Sequence, residues 1–416
     1  MKRISILLLV LFTCLVAASL RLTAQQPSHY TVTDLGTLGG TSSLAGGISN
    51  TGWIEGYATL ANGDSNAVLW RNGKIMDLGT LGGPNSDSGW LPSNAGDVGG
   101  GSETGAIDPY AENYCGYGDN LICVPFFWRN STKKMTRLPL LGGNNGYAAG
   151  VNDFDNVVGN SENTTMDPTC AGTSEVFQFE PVFWSSGRIK QLTNFPGDPD
   201  GAAFAINDWG QVTGYSGNCT TAFHALLWQN GEAINLGTLG GAMGNVGIDI
   251  NNYGQVSGVS DLPGDVYYHG FLWTRGVMTD LGTLSGDVSS DADGNNDWGQ
   301  VVGGSYDAEG NFRAYIWQNG VMTDLNTLIP PNSPLYLLEA NGGINDSGQI
   351  VGTALQISSG EVHAFLATPR YGKVVGESTT TAATERPKVT VPENVRRMLQ
   401  QRAHFGGLKR GLVRPQ

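Results

Sequence analysis

Short stretches of alternating apolar and polar residues recur along this chain, and tight turns separate them. In "IWQNGVMTDL" (Ile316–Leu325) two alternating arms flank Asn-Gly, which is the strongest short-range signal of a β-hairpin. A second pattern, "NDWGQVVG" (Asn296–Gly303), places an Asn/Asp start and a glycine at a tight turn between two further strands. Each repeat therefore predicts two hairpins, which together give four strands.

The two patterns recur in a fixed order seven times. The copies of the turn element begin at Asn50, Asn94, Asn152, Asn207, Asn251, Asn296 and Asn345. The copies of the aromatic element end at Trp70, Trp128, Trp184, Trp228, Trp273, Trp317 and, in the seventh copy, Ala367. Periods of about 40–50 residues with four strands each are typical of β-propellers. The Trp is present in six of the seven copies, so we expect it in the core.

We name the four strands of a repeat A ("AxxIN"), B ("GQVVG"), C ("HAFLW") and D ("MTDLG"). The stretch "DLGTLGG" occurs at Asp34–Gly40 and Asp77–Gly83, and near-copies follow in later repeats. It lies between strand D of one repeat and strand A of the next, where glycines let the backbone turn sharply. Its recurrence therefore predicts a structural crossing between blades.

The two ends of the repeat region complement each other. The first repeat element, Tyr30–Gly36, is a D strand with no A, B or C strand before it. The last element, His363–Pro369, is a C strand with no D strand after it. We expect them to pair, which predicts an all-β, seven-bladed β-propeller of four-stranded antiparallel blades, closed by the N-terminal strand within the last blade. The alternative is an open solenoid, which needs capping repeats that the sequence does not show.

These motifs resemble the bacterial extracellular repeat proteins of the HAF-repeat family. "HAF" stands at His363–Phe365, and "HALLW" (His224–Trp228) and "HGFLW" (His269–Trp273) are close variants. The resemblance covers about residues 30–370 and implies a propeller-like repeat fold. It implies no activity for any residue of this chain.

The segments outside the repeats have their own signatures. Residues 1–24 combine Lys2 and Arg3 with an apolar run and a small residue at Ala24, which indicates a signal peptide and a secreted or periplasmic protein. The alternative is a membrane anchor, although the apolar run is short for a span; no later stretch has the length of a transmembrane segment. Residues 371–416 read as a linker followed by a basic tail with one short helix, and we expect this tail to be flexible.

Export permits disulfide bonds among the four cysteines that remain after cleavage. Four cysteines allow three connectivities, and the sequence alone does not choose between them. We predict the pair Cys115–Cys123, which would form locally within one insertion, and the pair Cys170–Cys219, whose B–C loops belong to consecutive blades and are expected to be neighbours.

Charge separates the two faces of the predicted propeller. The chain carries a net charge of −14, and its long B–C loops are acidic, whereas most Lys and Arg of the repeats lie in C–D hairpins. An acidic surface makes nucleic acid an improbable partner and suits cations or basic partners. The sequence contains no HExxH, GxSxG or P-loop motif. The His residues that begin strands C are expected to hold a neighbouring strand by a hydrogen bond rather than to form a metal site.

The B–C side also carries the long insertions, and the opposite turns look too short to shape a pocket. Long loops on a rigid scaffold are common functional sites, so we expect the ligand on this side. The predicted ligand-binding residues are Tyr110, Glu112, Tyr114, Asp119, Asp167 and Glu175. No residue is predicted to be catalytic and no cofactor is required.

Calcium is the one metal that the sequence brings into consideration. "DVSSDADGNNDWG" (Asp287–Gly299) resembles a calcium loop, with Asp287, Asp291 and Asp293 as candidate ligands. The alternative interpretation is a strand A whose sequence has drifted.

Taken together, these patterns predict a secreted, non-catalytic binding module that contacts a glycan, a cation or a basic partner through its acidic B–C loop face. The first alternative is a carbohydrate-active hydrolase or lyase on the same scaffold, and the second is a structural cell-envelope protein. Two carboxyl groups that converge in a pocket favour the enzyme.

Overall fold

The computed structural model describes residues 29–371, 389–393 and 395–396. The predicted signal peptide and most of the predicted tail lie outside these ranges. Apart from three residues near position 395, the helical structure consists of two short 3-10 turns, Pro168–Cys170 and Leu325–Thr327. Among the described residues, no helix has the length and apolar character needed to span a bilayer. The fold is therefore all-β, as the alternating patterns predict.

The strands are β1 (His29–Asp34), β2 (Gly39–Ile48), β3 (Ile54–Leu60), β4 (Ser65–Arg71), β5 (Lys74–Asp77), β6 (Ser86–Ser88), β7 (Val98–Ile107), β8 (Leu121–Arg129), β9 (Lys134–Arg137), β10 (Gly146–Val151), β11 (Val157–Met166), β12 (Phe177–Ser185), β13 (Arg188–Gln191), β14 (Asp200–Ile206), β15 (Val212–Asn218), β16 (Thr221–Gln229), β17 (Glu232–Asn235), β18 (Val246–Ile250), β19 (Val256–Asp261), β20 (Tyr268–Thr274), β21 (Val277–Asp280), β22 (Ser289–Ser290), β23 (Gly294–Asn295), β24 (Val301–Tyr306), β25 (Phe312–Gln318), β26 (Val321–Asp324), β27 (Leu335–Glu339), β28 (Ile350–Gln356) and β29 (Val362–Arg370).

These strands form antiparallel sheets of four in chain order. Four sheets contain β6–β9, β10–β13, β14–β17 and β18–β21, and a fifth contains β22–β26 with its first strand broken in two. An eight-stranded sheet joins β2–β5 to β27–β29 and β1, through a single parallel pair between Ser42 and Val362. The repeated meander of four strands is propeller-like.

The first strand pairs with the last one, as the sequence predicts. β1 runs antiparallel to β29 from His29 opposite Arg370 to Asp34 opposite Phe365. Tyr30 on β1 is fully buried, and its backbone N–H donates to Leu328 O at 2.7 Å. Burial raises the pKa of this phenol. The N-terminal strand is thus part of the core and not an appended arm.

One side chain closes each turn of the "NDxGQ" type, a serine (Ser49 or Ser93) in the first two copies and an asparagine in the other five. Asn207 Oδ1 accepts hydrogen bonds from Trp209 N and Gln211 N, both at 3.0 Å. The glycine before the glutamine has positive φ, for example 75° at Gly210. In the third repeat Asp155 takes that place with φ 58°. The Asn/Asp and Gly spacing is therefore a requirement of the turn itself.

The recurring "DLG" stretch has a similar local cause. Asp280 Oδ1 accepts from Gly282 N at 2.8 Å and lies 2.8 Å from His269 Nδ1. The same pair at the chain ends joins Asp34 and His363, again at 2.8 Å. These histidines hold a neighbouring strand, as expected, and do not come together as a metal site.

Both predicted disulfide bonds are present. Cys115 in the β7–β8 insertion is bonded to Cys123 on β8, with Cα atoms 5.8 Å apart. Cys170 and Cys219 join the β11–β12 insertion to the β15–β16 loop, with Cα atoms 5.1 Å apart. Each bond fixes one end of a long insertion onto the sheets.

The described part of the tail is docked, so the expectation of a flexible tail is wrong for this segment. Val391 and Val395 are buried against an apolar cluster that contains Leu44, Tyr306 and Tyr336. Arg396 Nη1 donates to Glu309 O, and Val391 N donates to Asn311 Oδ1. The two valines make the apolar contact, which the basic composition of the tail did not indicate.

Candidate functional site

The residues predicted to form a ligand-binding face are not presented together on the surface. Tyr110 is 48% exposed and packs edge-on against Phe177, and Asp119 is exposed. Glu112 and Asp167 are buried, and Glu175 is half-buried. Since the carboxylates turn inward, the acidity of these loops does not form one exposed anionic surface.

Asp167 serves the loop that contains it. Its side chain caps the 3-10 turn by accepting from Thr169 N at 2.8 Å and Thr169 Oγ1 at 2.6 Å. Burial, and then the adjacent Asp167, raise the pKa of Asp200 to about 9. This carboxyl pair organises the base of the insertion.

The other buried acids of the insertions form a tri-glutamate cluster, composed of Glu112, Glu162 and Glu175. One carboxylate oxygen from each lies within 4.8 Å of the others. Burial is the main cause that raises the pKa of Glu162 to about 9 and that of Glu175 to about 7. The sequence singled out Glu112 and Glu175, but not their convergence with Glu162, since β11 had to fold beside both loops first.

The three candidate calcium ligands do not meet. Asp287 forms an ion pair with Arg313 at 2.8 Å, whereas Asp291 and Asp293 converge with Glu339 from the next repeat. The segment pairs with β24 as the two halves of a broken strand, β22 and β23. A drifted strand A is therefore the better interpretation, and a calcium site built on Asp287 is not formed.

Residues from all seven copies of the turn element line one cavity. This turn cavity encloses about 110 Å³ on the side of the A–B turns, opposite the long insertions. Its lining contains the paired turn residues Ser49 and Asn50, Ser93 and Asn94, Asn152 and Asp153, Asn207 and Asp208, Asn251 and Asn252, Asn296 and Asp297, and Asn345 and Asp346. The expectation that these turns cannot shape a pocket is wrong, because they build it collectively.

Hydrogen bonds connect each of these turns to the next. One series joins the backbone N–H of a turn residue to a side-chain oxygen of the following turn. The successive pairs are Thr51 to Asn94, Asn94 to Asp153, Asp153 to Asp208, Asp208 to Asn252, Asn252 to Asp297, Asp297 to Asp346, and Asp346 to Asn50. The wall of the cavity is therefore a fixed array of amides and carboxylates.

Two carboxyl groups of this cavity, those of Asp249 and Asp297, have raised pKa values. Burial raises the pKa of Asp249 to about 6, and the charge of Asp297 adds to the shift. Burial also raises the pKa of Asp297, with further contributions from Asp346 and Asp208. Backbone N–H groups orient both side chains: Asn295 N donates to Asp249 Oδ2 at 2.9 Å, and Asn252 N donates to Asp297 Oδ1 at 2.9 Å.

Exposed aromatic side chains border the same side of the molecule. Four consecutive turns carry an aromatic residue at their third position, and the exposed fractions are 68% for Phe154, 78% for Trp209, 71% for Tyr253 and 52% for Trp298. Trp209 Nε1 donates to Asn252 O at 3.0 Å, and Trp298 Nε1 donates similarly. We call these four residues the aromatic arc. Exposed rings grouped in this way are typical of a binding surface.

Comparisons with known proteins give structural similarities only. No family model and no curated protein matches the chain. An acylaminoacyl peptidase from Pyrococcus horikoshii matches 66% of this chain and 43% of its own length, with 13% identity and a TM-score of 0.43. A prolyl endopeptidase structure matches 83% and 51%, with 11% identity and a TM-score of 0.47. TolB from Acinetobacter baumannii matches 65% and 62%, with 12% identity and a TM-score of 0.41. The chain thus spans about half the length of these peptidases, and at this level of similarity the matches do not identify a function.

The predicted function, a non-catalytic module that binds through its acidic B–C face, is wrong. The burial of the carboxylates assigned to that face overturns it, since Glu112 and Asp167 are buried and Glu175 is half-buried. Asp249 and Asp297 instead line one cavity on the opposite side. Two carboxyl groups in one pocket were the feature expected of the enzyme alternative.

Proposed function

We propose that this protein is a hydrolase or lyase that acts on carbohydrate at the turn cavity. The observation that carries the proposal is that Asp249 and Asp297 line one cavity, where the charge of Asp297 helps to raise the pKa of Asp249. Perturbed carboxyl groups in a cleft are frequent in catalytic sites. Glycoside cleavage needs two such groups, one that gives a proton and one that remains ionised.

The environments of the two carboxyl groups suggest their roles. Asp249, with a pKa of about 6, holds a proton in mildly acidic solution and is placed to donate it to the leaving oxygen. Asp297 then supplies the carboxylate that activates a water molecule or attacks the sugar carbon. Neither role requires a cofactor.

The aromatic arc favours carbohydrate over other substrates. Sugar rings present C–H faces that pack on aromatic side chains, while their hydroxyl groups need hydrogen-bond partners. The arc and the cavity provide both, because amides and carboxylates of the same turns lie beside Trp209, Tyr253 and Trp298. We infer that the arc holds a glycan chain whose end enters the cavity.

The test is a release assay on a panel of plant, bacterial and fungal polysaccharides. We expect Asp249→Asn to lower the rate by about 10²–10⁴-fold, since general acid catalysis contributes that much. Asp119→Asn is the matched control, because Asp119 is exposed on the B–C side and should leave the rate unchanged. The rate of the unaltered protein should fall as pH rises above the pKa of Asp249, about 6, because the acid loses its proton.

Two results would contradict the proposal. One is the absence of activity on every polysaccharide of the panel. The other is an activity that Asp119→Asn abolishes and Asp249→Asn leaves intact, which would return the site to the insertion side.

We also propose that the scaffold is a closed ring of seven blades, in which the eight-stranded sheet represents two blades. The pairing of β1 with β29, and the hydrogen bond from Asp346 N to Asn50 Oδ1 at 2.8 Å, support this interpretation. We further propose that the chain is an exported HAF-repeat protein cleaved near Ala24, in keeping with its two disulfide bonds. N-terminal sequencing of the mature protein from its native host tests the export.

A further inference from the structure

The tri-glutamate cluster has more negative charge than its surroundings balance. Glu112, Glu162 and Glu175 come from the β7–β8 insertion, from β11 and from the β11–β12 insertion. The groups that donate to them are neutral, for example Val176 N to Glu112 Oε1 at 2.6 Å and Asn145 N to Glu162 Oε2 at 2.8 Å. In the described part of the chain, the ion pairs leave out all three residues. The three groups can all be ionised in this setting only beside a compensating positive charge.

Buried polar atoms at the cluster lack a donor or acceptor. Glu162 is 0% exposed, and its Oε2 accepts three hydrogen bonds while its Oε1 receives none. Glu175 Oε2 is likewise buried without a partner. The hydroxyl of Tyr114 is buried beside the same carboxylates and has no partner either. These orphaned oxygens are an observation separate from the clustering of acids, and buried polar atoms are rarely left in this state.

We propose that Glu112, Glu162 and Glu175 bind a calcium ion, with the hydroxyl of Tyr114 beside it. All available donors are oxygens, and no His or free Cys joins the cluster among the described residues. Oxygen-only sites with several carboxylates suit hard cations, and calcium tolerates the irregular geometry that three separate chain segments impose. This site is independent of the turn cavity, and it is also distinct from the segment that resembles a calcium loop.

The ion has a mechanical role at this position. Glu112 and Glu175 belong to different insertions, which a hydrogen bond from Val176 N to Glu112 Oε1 joins directly. Calcium bound between them fixes both insertions to β11 through Glu162. We therefore expect metal removal to loosen the insertions while the four-stranded sheets remain.

The experiment uses the full mature chain after treatment with EDTA. Adding calcium chloride to about 1 mM, a concentration typical of extracellular sites, should raise the midpoint of thermal unfolding by several degrees. Terbium in place of calcium should give luminescence on excitation of tyrosine, and added calcium should quench it. Glu175→Gln should abolish both the thermal shift and the luminescence. Tyr114→Phe should keep the shift and lose most of the luminescence.

The control is Asp291→Asn, in the second group of acids with Asp293 and Glu339, which should keep the full calcium response. A proton shared between Glu112 and Glu162 is the competing explanation. It predicts that calcium leaves the unfolding midpoint unchanged and that Glu162→Gln is as stable in EDTA as the unaltered protein. Either of those results, or loss of the response in Asp291→Asn and not in Glu175→Gln, overturns the proposal.

Discussion

At the scale of single residues, the turn asparagines show how one side chain determines both structure and site. Asn207 closes its own turn through Oδ1, and its Nδ2 donates to Asn251 O of the next turn at 3.0 Å. The spacing of Asn, Asp and Gly makes the turn predictable from sequence. The cavity is not predictable in this way, because it exists only where seven turns from distant parts of the chain meet.

Asp249 illustrates the residue that sequence reasoning missed. It lies in strand A at a position that other repeats fill with small or apolar residues, such as Ala205 and Gly343, and no motif marks it. The raised pKa of its carboxyl group comes from burial in the cavity and from the charge of Asp297. Aligning the repeats of this chain with one another could have identified Asp249, because it is an acid at a position where the other repeats have small or apolar residues.

The raised pKa of Asp249 predicts a pH-dependent stability. A carboxyl group with a folded pKa of about 6 and a lower unfolded pKa binds its proton more tightly in the folded state. Stability from this group is therefore fully present below the unfolded pKa and falls as pH rises toward and past about 6. We expect the unfolding midpoint of Asp249→Asn, relative to the unaltered protein, to increase between about pH 4 and pH 7. Thermal unfolding across this range measures it, and a relative midpoint independent of pH would disprove the shift.

At the scale of elements, β1 differs from every other D strand in how it is attached. β21 follows its partner β20 after a two-residue turn, whereas β1 and β29 are separated by more than 300 residues of chain. The same His–Asp pair therefore has two different tasks. His269–Asp280 fastens a hairpin that is already closed, while His363–Asp34 helps to hold the N-terminus in its sheet.

We predict that His363→Ala lowers the unfolding midpoint more than His269→Ala does. Loss of a partly buried charged partner costs about 1–3 kcal/mol in either place, but only in β1 does it also release a strand end. His363→Asn should be milder, since Asn66 forms the equivalent bond to Asp77 in the first repeat at 2.8 Å. Circular dichroism melts compare the three variants. Equal losses from both alanine variants would show that β1 does not depend on this pair to stay in its sheet.

The hydrogen bond that His363 donates to the Asp34 carboxylate raises the pKa of His363, so the effect of this pair on stability depends on pH. Because the folded pKa is above the unfolded value of about 6.5, the stabilisation is complete below that value and disappears as pH rises through the folded pKa. The difference between the unaltered protein and His363→Asn should accordingly shrink in alkaline solution.

At the scale of the whole molecule, the strands and their sheets were predictable from the sequence, but the tail segment that packs against them was not. The alternation of apolar residues, the Asn-Gly turns and the unpaired first and last strands are local signals that the sequence states directly. The docking of residues 389–393 and 395–396 depends on an apolar surface made jointly by β2, β24 and β27, and none of these segments identifies it alone. A tail with many Lys and Arg therefore read as a solvated extension, although two of its valines are core residues.

The docked tail leads to a last prediction, on the integrity of the whole fold. Truncation after Tyr371 removes Val391 and Val395 and uncovers the apolar cluster beneath them. Burying each valine stabilises the folded state by about 1.5 kcal/mol, so the truncated protein should unfold at a lower temperature and bind more of a hydrophobic dye. The full-length double variant Val391→Ser, Val395→Ser should reproduce most of the loss, while Arg396→Ala should cause little. If the truncated chain melts at the same temperature as the full chain and binds no additional dye, the tail contributes nothing to the core, and its contacts with Glu309 and Asn311 are incidental.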